Sequence, residues 1–166
     1  NPGIERFIEE KLPFLETAGV PVIVSLASEG PLEEFSELAA AVEPLAAVSA
    51  VEINISCPNV SGRGRCKLVS QDPDLSADAV EMVRRSFSRP VITKLSPNVA
   101  DIADIARAVE GAGSDAISLI NTLSGMAVDL GTRRPKLANV FGGLSGPAVK
   151  PVALRMVWEV YNAVKV

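Results

Sequence analysis

Four short runs rich in Val and Ile, each separated from the next by a segment of helical periodicity, constrain the fold of this chain more than any other feature. The runs are PVIVSLA (21–27), AVEINIS (50–56), PVITKLS (90–96) and DAISLIN (115–121), and β-branched residues at that density favour strands. Helices are predicted over 4–18, 32–42, 75–87, 99–112 and 149–164. In the second of these, Phe35, Leu38, Ala39 and Val42 recur at the spacing of one helical face. Gly111 and Gly113 close the fourth, as glycines do where a helix stops. When each strand is followed by a helix that returns the chain, successive strands run parallel, so the pattern is α/β. No linker or low-complexity tract interrupts it, and residues 1–166 are expected to form one domain.

Composition narrows the chemistry. At 48% apolar and 22% charged, the chain has the make-up of an ordinary globular protein with a real core. A net charge of −4 argues against nucleic acid as partner, because phosphate binding needs a basic face. No apolar run approaches the roughly 18 residues of a membrane span and no signal peptide opens the sequence, so a cytoplasmic location is expected. Two cysteines, Cys57 and Cys66, make a poor disulfide framework and are expected to be reduced. Histidine is absent, which excludes a Ser-His-Asp or Cys-His arrangement and leaves the cysteines without the partners of a metal site. Acid–base work must then fall to Cys, Lys, Asp, Glu or Tyr. The first residue is Asn rather than Met, as expected of a piece of a longer chain.

Every strand ends in residues that an apolar core would reject. Ser25 and Ser28 close the first, Asn54, Ser56 and Cys57 the second, Lys94 and Ser96 the third, and Asn121 and Thr122 the fourth. Singly, each has a bland explanation as a helix cap or as a partner for loop backbone. Together they favour one polar site, because parallel strands bring these ends side by side. Two long loops, 57–73 and 122–147, start from such ends, where ligands bind in α/β folds. Lys94 is either a snorkelling lysine beside a carboxylate or a cation awaiting an electron-rich ligand. Cys57 is either a small buried hydrophobe or a thiol positioned by Pro58 to exchange a proton. The segment GGLSGP (142–147), directly before a helix, is suited to an anion, although glycines also merely permit turns.

The segments EINISCPNV, VITKLSPNVADI and SLINTLSGMAVDLGTRRPKLANVFGGLSGPAVKPVAL closely resemble the class 1 dihydroorotate dehydrogenases, with motif order and spacing kept over nearly the whole chain. The long last segment is most like the subtype that passes electrons to NAD through a partner subunit. The resemblance implies a (β/α)8 barrel carrying FMN that oxidises (S)-dihydroorotate to orotate in pyrimidine synthesis. It implies that Cys57 is the base for the C5 proton while hydride leaves C6 for the flavin. It places Asn54 against both substrate and FMN, Asn59, Asn121 and Thr122 against the substrate, and Lys94, Ile120 and Gly146 against FMN. A homodimer and an iron–sulfur flavoprotein partner are expected on the same ground.

Some positions depart from that pattern. VSLAS carries Ser25 where the subtype usually has asparagine, and Cys66 in SGRGRCKLVSQDP has no counterpart. A (β/α)8 barrel needs about 200 residues or more, whereas four strands are predicted here, corresponding to the third through sixth. The chain is therefore expected to be about half of an enzyme, inactive alone, with open edges. A pyrimidine reductase of the dihydropyrimidine dehydrogenase type, which shares a cysteine-bearing NLSCP-type motif, is the alternative, as is a flavin-free scaffold.

Overall fold

The computed structural model describes residues 3–28, 30–56 and 68–166. Its centre is a four-stranded parallel sheet in the order β1 (Val22–Leu26), β2 (Val48–Asn54), β3 (Val91–Lys94), β4 (Ala116–Ser118). Chain order and spatial order coincide, as expected of consecutive strands in part of a (β/α)8 barrel. Alternation along the strands separates two faces. Val22, Val24 and Leu26 of β1 and Val91 and Thr93 of β3 are buried, while Ile23, Ser25, Ile92 and Lys94 face the other way and are exposed or half-buried.

Helices cover the buried face. The chain opens with α1 (Ile4–Arg6), a π-helical turn over Phe7–Lys11, and α2 (Leu12–Thr17). The predicted helix over 4–18 is thus interrupted. Pro13 has no N–H for the carbonyl four residues back and its ring crowds that carbonyl, and the Leu12 N–H bonds instead to the Phe7 carbonyl five residues back. α3 (Glu33–Val42) buries Phe35, Ala39 and Val42. α4 (Pro73–Ser86) begins two residues before its predicted start, with Pro73 as its first residue and Asp72 accepting from the Asp74 and Leu75 N–H groups. α5 (Ile102–Gly111) is capped by Asp101, which accepts from the Ala103 and Asp104 N–H groups, and buries Ile102, Ile105, Ala106 and Val109. Gly111 is the last residue of that helix, and Gly113, at φ +100°, takes the left-handed conformation that ends it. α6 (Lys150–Ala163) completes the layer, burying Met156 and Val160. These apolar faces and the strands form one contiguous core.

At the end of the sheet where strands begin, arginines bind the backbone. Arg89 donates to the carbonyls of Leu45 (2.8 Å), Val42 (3.1 Å), Glu43 (2.5 Å) and Val48, and stacks over the Phe87 ring at 4.7 Å. Arg84 reaches the Gly113 and Arg89 carbonyls and pairs with Asp115, whose carboxylate also accepts from the Val91 N–H at 2.8 Å. Burial opposes the charged form of Asp115, but the Val91 N–H and the Arg84 guanidinium outweigh it and hold the carboxyl below its usual range.

Residues 122–147 are not the irregular loop predicted. They fold into two small antiparallel ribbons, β5 (Leu123–Met126) with β8 (Phe141–Leu144) and β6 (Val128–Asp129) with β7 (Arg134–Pro135). The strands are only two to four residues long and glycine-rich, too short for alternation to mark them in sequence. Among the described residues no helix is long and apolar enough to cross a membrane.

Candidate functional site

The C-terminal ends of the strands are joined by a run of neutral hydrogen bonds. Asn54, at the end of β2, turns its Oδ1 toward Ser56, accepting from its Oγ at 2.5 Å and its N–H at 3.3 Å. Ser56 Oγ also accepts from Asn121 Nδ2 at 2.6 Å. Asn121 Oδ1 accepts from the Thr122 N–H at 2.8 Å. One buried serine hydroxyl therefore connects the carboxamide closing β2 to the one that follows β4, two strands away. A hydroxyl both donates and accepts, so it suits a position between two carboxamides.

Between those strands stands Lys94. Register places Asn54, Lys94 and Ser118 in a single cross-strand row, with strands about 4.8 Å apart. Lys94 is half-buried and has neither a hydrogen-bond nor an ion-pair partner among the described residues, so the snorkelling pair with a carboxylate is not seen. A half-buried ammonium without a partner is unfavourable until an anionic or electron-rich group lies against it. One row deeper, Glu52 accepts from Ser25 Oγ at 3.0 Å and from Ser118 Oγ at 2.8 Å, linking β1, β2 and β4 across the same face. Ser25, which stands where asparagine was expected, is thus engaged with Glu52.

A cleft of about 350 Å³ opens beside this row, walled by Ser56, Ser96, Asn98, Asn121, Thr122 and the Gly142–Gly143 backbone among others. Its described walls combine hydroxyls and carboxamides with the apolar side chains of Leu68 and Phe141, and none of them is charged. Thr122 packs so closely on the ribbon that a Cβ on Gly143 would stand 2.2 Å from its Oγ1 and 2.7 Å from its Cβ. Asn98 fastens the start of that ribbon: its Oδ1 accepts from the Ser124 N–H at 2.9 Å and its Nδ2 donates to the Thr122 carbonyl at 3.1 Å.

Of the residues singled out in the sequence, Asn121 and Thr122 line the cleft, and Asn54 joins them through Ser56. Lys94 lies in the Asn54 row rather than on the cleft wall. Ile120 is half-buried and packs against the core. Gly146, exposed at φ +84° with open space where a Cβ would stand, precedes the short 3₁₀ turn Pro147–Val149 that leads into α6. Cys57, Asn59 and Cys66 lie outside the described residues. Sequence reasoning did not single out Asn98, Glu52 as a bridging carboxylate, or Gly143 as a contact surface. The asparagine in LSPN, directly after a strand end, was the available signal for the first. Among the described residues no group of three or more His, Cys, Asp or Glu is placed to hold a metal ion.

A family model described as dihydroorotate dehydrogenase matches residues 1–166. The protein named dihydroorotate dehydrogenase B (NAD(+)), catalytic subunit, from Geotalea daltonii is 57% identical over 166 residues, covering 100% of this chain and 53% of that protein. Proteins of the same name from Geobacter sp. (strain M21) and Geotalea uraniireducens are each 55% identical, over 165 and 166 residues, covering 99% and 100% of this chain and 53% of their own lengths. The chain spans about half the length of the curated relatives it matches.

Proposed function

The chain belongs to the dihydroorotate dehydrogenase family, and from that premise we propose that it supplies the substrate-facing side of an enzyme oxidising (S)-dihydroorotate to orotate in de novo pyrimidine synthesis. The observation that carries this reading is the Asn54–Ser56–Asn121 network, which joins positions expected to contact substrate from strands that are not neighbours. The ring of dihydroorotate alternates N–H and C=O groups. Carboxamides, which offer a donor and an acceptor on one planar group, match that edge, and the hydroxyls beside them suit its carboxylate.

Lys94 fits a flavin. It is half-buried and lacks a partner among the described residues, so an electron-rich ring edge over the Asn54–Lys94–Ser118 row would supply the interaction it lacks. FMN held by these residues would supply the acceptor for the hydride leaving C6 of the substrate. Asn54 and Lys94 hold the cofactor side, with Ile120 backbone and Gly146 as further contacts. Asn59, Asn121 and Thr122 orient the substrate, and Cys57 takes the C5 proton as thiolate. Only the thiolate accepts a proton, so the rate depends on the ionised fraction of Cys57.

Residues 1–166 are read as one part of a single barrel domain. The relatives' designation as a catalytic subunit, together with NAD(+) in their name, supports a second subunit; that it is an iron–sulfur flavoprotein passing electrons to NAD, and that the catalytic chain is homodimeric, is proposed on the family resemblance alone. The decisive experiment uses the full natural protein. Flavin absorbance should be present, should shift on adding orotate, and Cys57→Ala should remove most dihydroorotate oxidation at neutral pH. Oxidation unaffected by Cys57→Ala would overturn the mechanism.

A further inference from the structure

Asn98 bonds through its side chain to both backbone groups on one edge of a strand. In an extended strand, the carbonyl of residue i−1 and the N–H of residue i+1 point to the same edge, and a neighbouring strand normally pairs with both. Here Leu123 is residue i, and the groups on that edge are the Thr122 carbonyl and the Ser124 N–H. Leu144 faces Leu123 from the β8 side of the ribbon. Among the described residues no strand pairs with the opposite side. The Asn98 carboxamide takes its place, accepting from Ser124 at 2.9 Å and donating to Thr122 at 3.1 Å.

The side chain and main chain of Asn98 are themselves fixed. Its N–H and its Nδ2 both donate to Ser96 Oγ, at 3.2 and 3.3 Å, and Ser96 is buried just past the end of β3. Its carbonyl accepts from Gln71 Nε2 at 2.9 Å, at the end of the 3₁₀ turn Val69–Gln71 that precedes α4. Asn98 therefore ties the strand end after β3 to the backbone of Thr122 on one side and to the approach to α4 on the other. Aspartate, an acceptor only when ionised, cannot hold the Thr122 carbonyl, and alanine can hold neither group.

We propose that Asn98 is a positioning residue for the cleft: by acting as a one-residue strand for Leu123, it sets the backbone from which Asn121 and Thr122 present their side chains. The inference rests on the proposed function, in that orotate is taken as the ligand of this cleft. Asn98 itself need not touch the ligand. Its removal frees two backbone groups next to Thr122, and the loss is read as weaker binding rather than as an altered flavin.

The test measures orotate binding by titration calorimetry on the full flavin-loaded protein, with flavin content and Tm recorded alongside. Asn98→Ala should raise the orotate Kd about tenfold, the effect of losing roughly two neutral hydrogen bonds, with flavin content unchanged. Asn98→Leu, which keeps the volume without the hydrogen bonds, should do the same and decides the matter if the alanine variant does not fold. A merely structural role predicts a lowered Tm with a Kd within about twofold of wild type in the loaded protein, and that result overturns the inference. Asn121→Ala separates the two levels. If wild-type protein binds no orotate, the proposed function fails and this inference with it. If wild type binds, Asn121→Ala abolishes binding and the Asn98 variants bind normally, the positioning role alone is wrong.

Discussion

Ser56 Oγ sits between Asn121 Nδ2, which donates to it at 2.6 Å, and Asn54 Oδ1, to which it donates at 2.5 Å, so two carboxamides from strands either side of β3 share one hydroxyl. The consequence is directional. Asn54 uses its oxygen toward Ser56 and its NH₂ has no partner among the described residues, whereas Asn121 directs its NH₂ to the Ser56 Oγ, with a longer contact to the Ser56 carbonyl at 3.5 Å, and its oxygen to the Thr122 N–H. The serine thereby sets which atoms each amide presents.

Ser56→Ala tests that ordering. Both carboxamides then lose their short bond to the Ser56 hydroxyl, each contributing about 0.5–1.5 kcal/mol, and keep only the longer Ser56 N–H contact for Asn54 and the Thr122 N–H and Ser56 carbonyl contacts for Asn121. In the full enzyme kcat/KM for dihydroorotate should fall about tenfold, chiefly through KM, in steady-state kinetics. An unchanged KM would show that the amides are held by other groups.

Gly143→Ala probes the packing of Thr122 on the ribbon. The added Cβ would stand 2.2 Å from Thr122 Oγ1, and since Thr122 Cβ is only 2.7 Å away, rotating the side chain does not relieve the clash. The substitution should cost about 1–3 kcal/mol, read as a lowered Tm, and should weaken orotate binding. Gly111→Ala is the control. Nothing lies within 4 Å of its Cβ position and it ends α5 without a left-handed φ, so alanine there should stabilise by about 0.5–1 kcal/mol.

Lys94→Gln separates a structural lysine from one that serves a cofactor. No described residue pairs with the ammonium, so its removal should leave the Tm of flavin-free protein unchanged or raised. Flavin content after purification should fall, measured by absorbance against protein concentration. A lowered Tm in flavin-free protein would contradict the unpaired state.

Asp115 gives a pH signature at the other end of the sheet. Its carboxyl is more acidic folded than unfolded, through the Val91 N–H and Arg84 acting against partial burial. The stabilisation is therefore complete above the unfolded value of about 3.9 and is lost as pH falls through the lower folded value. Thermal melts from about pH 6 to pH 2 should show that loss, and Asp115→Asn should flatten the acid limb while lowering the Tm at neutral pH.

The sheet was legible because burial wrote it: Val and Ile cluster where a strand is covered, and β1, β3 and β4 fall within the predicted runs, while β2 begins two residues before its run, at Val48. The π turn was not, since nothing in the periodicity of the first helix reveals how the backbone accommodates Pro13. The short strands after Thr122 escaped because two to four residues cannot display a period, and they are held by cross-strand partners distant in sequence. Site residues divide the same way. Lys94, Asn54 and Asn121 stood out as polar groups on apolar strands, a local anomaly. Asn98 and Gly143 act on Thr122 from 24 and 21 positions away, and a single asparagine or glycine in a loop carries no trace of its target.

The Arg89 guanidinium, spread over four carbonyls at the end of the sheet remote from the cleft, implies a division of mutational tolerance along the strands. Cohesion is concentrated where the strands begin and recognition where they finish. Substitutions at the finishing ends should then trade ligand preference while the chain still folds, whereas changes around Arg89 should lower the yield of folded protein whatever ligand is offered. A saturation library scored separately for abundance and for orotate binding would resolve into two belts, one at each end of the same four strands.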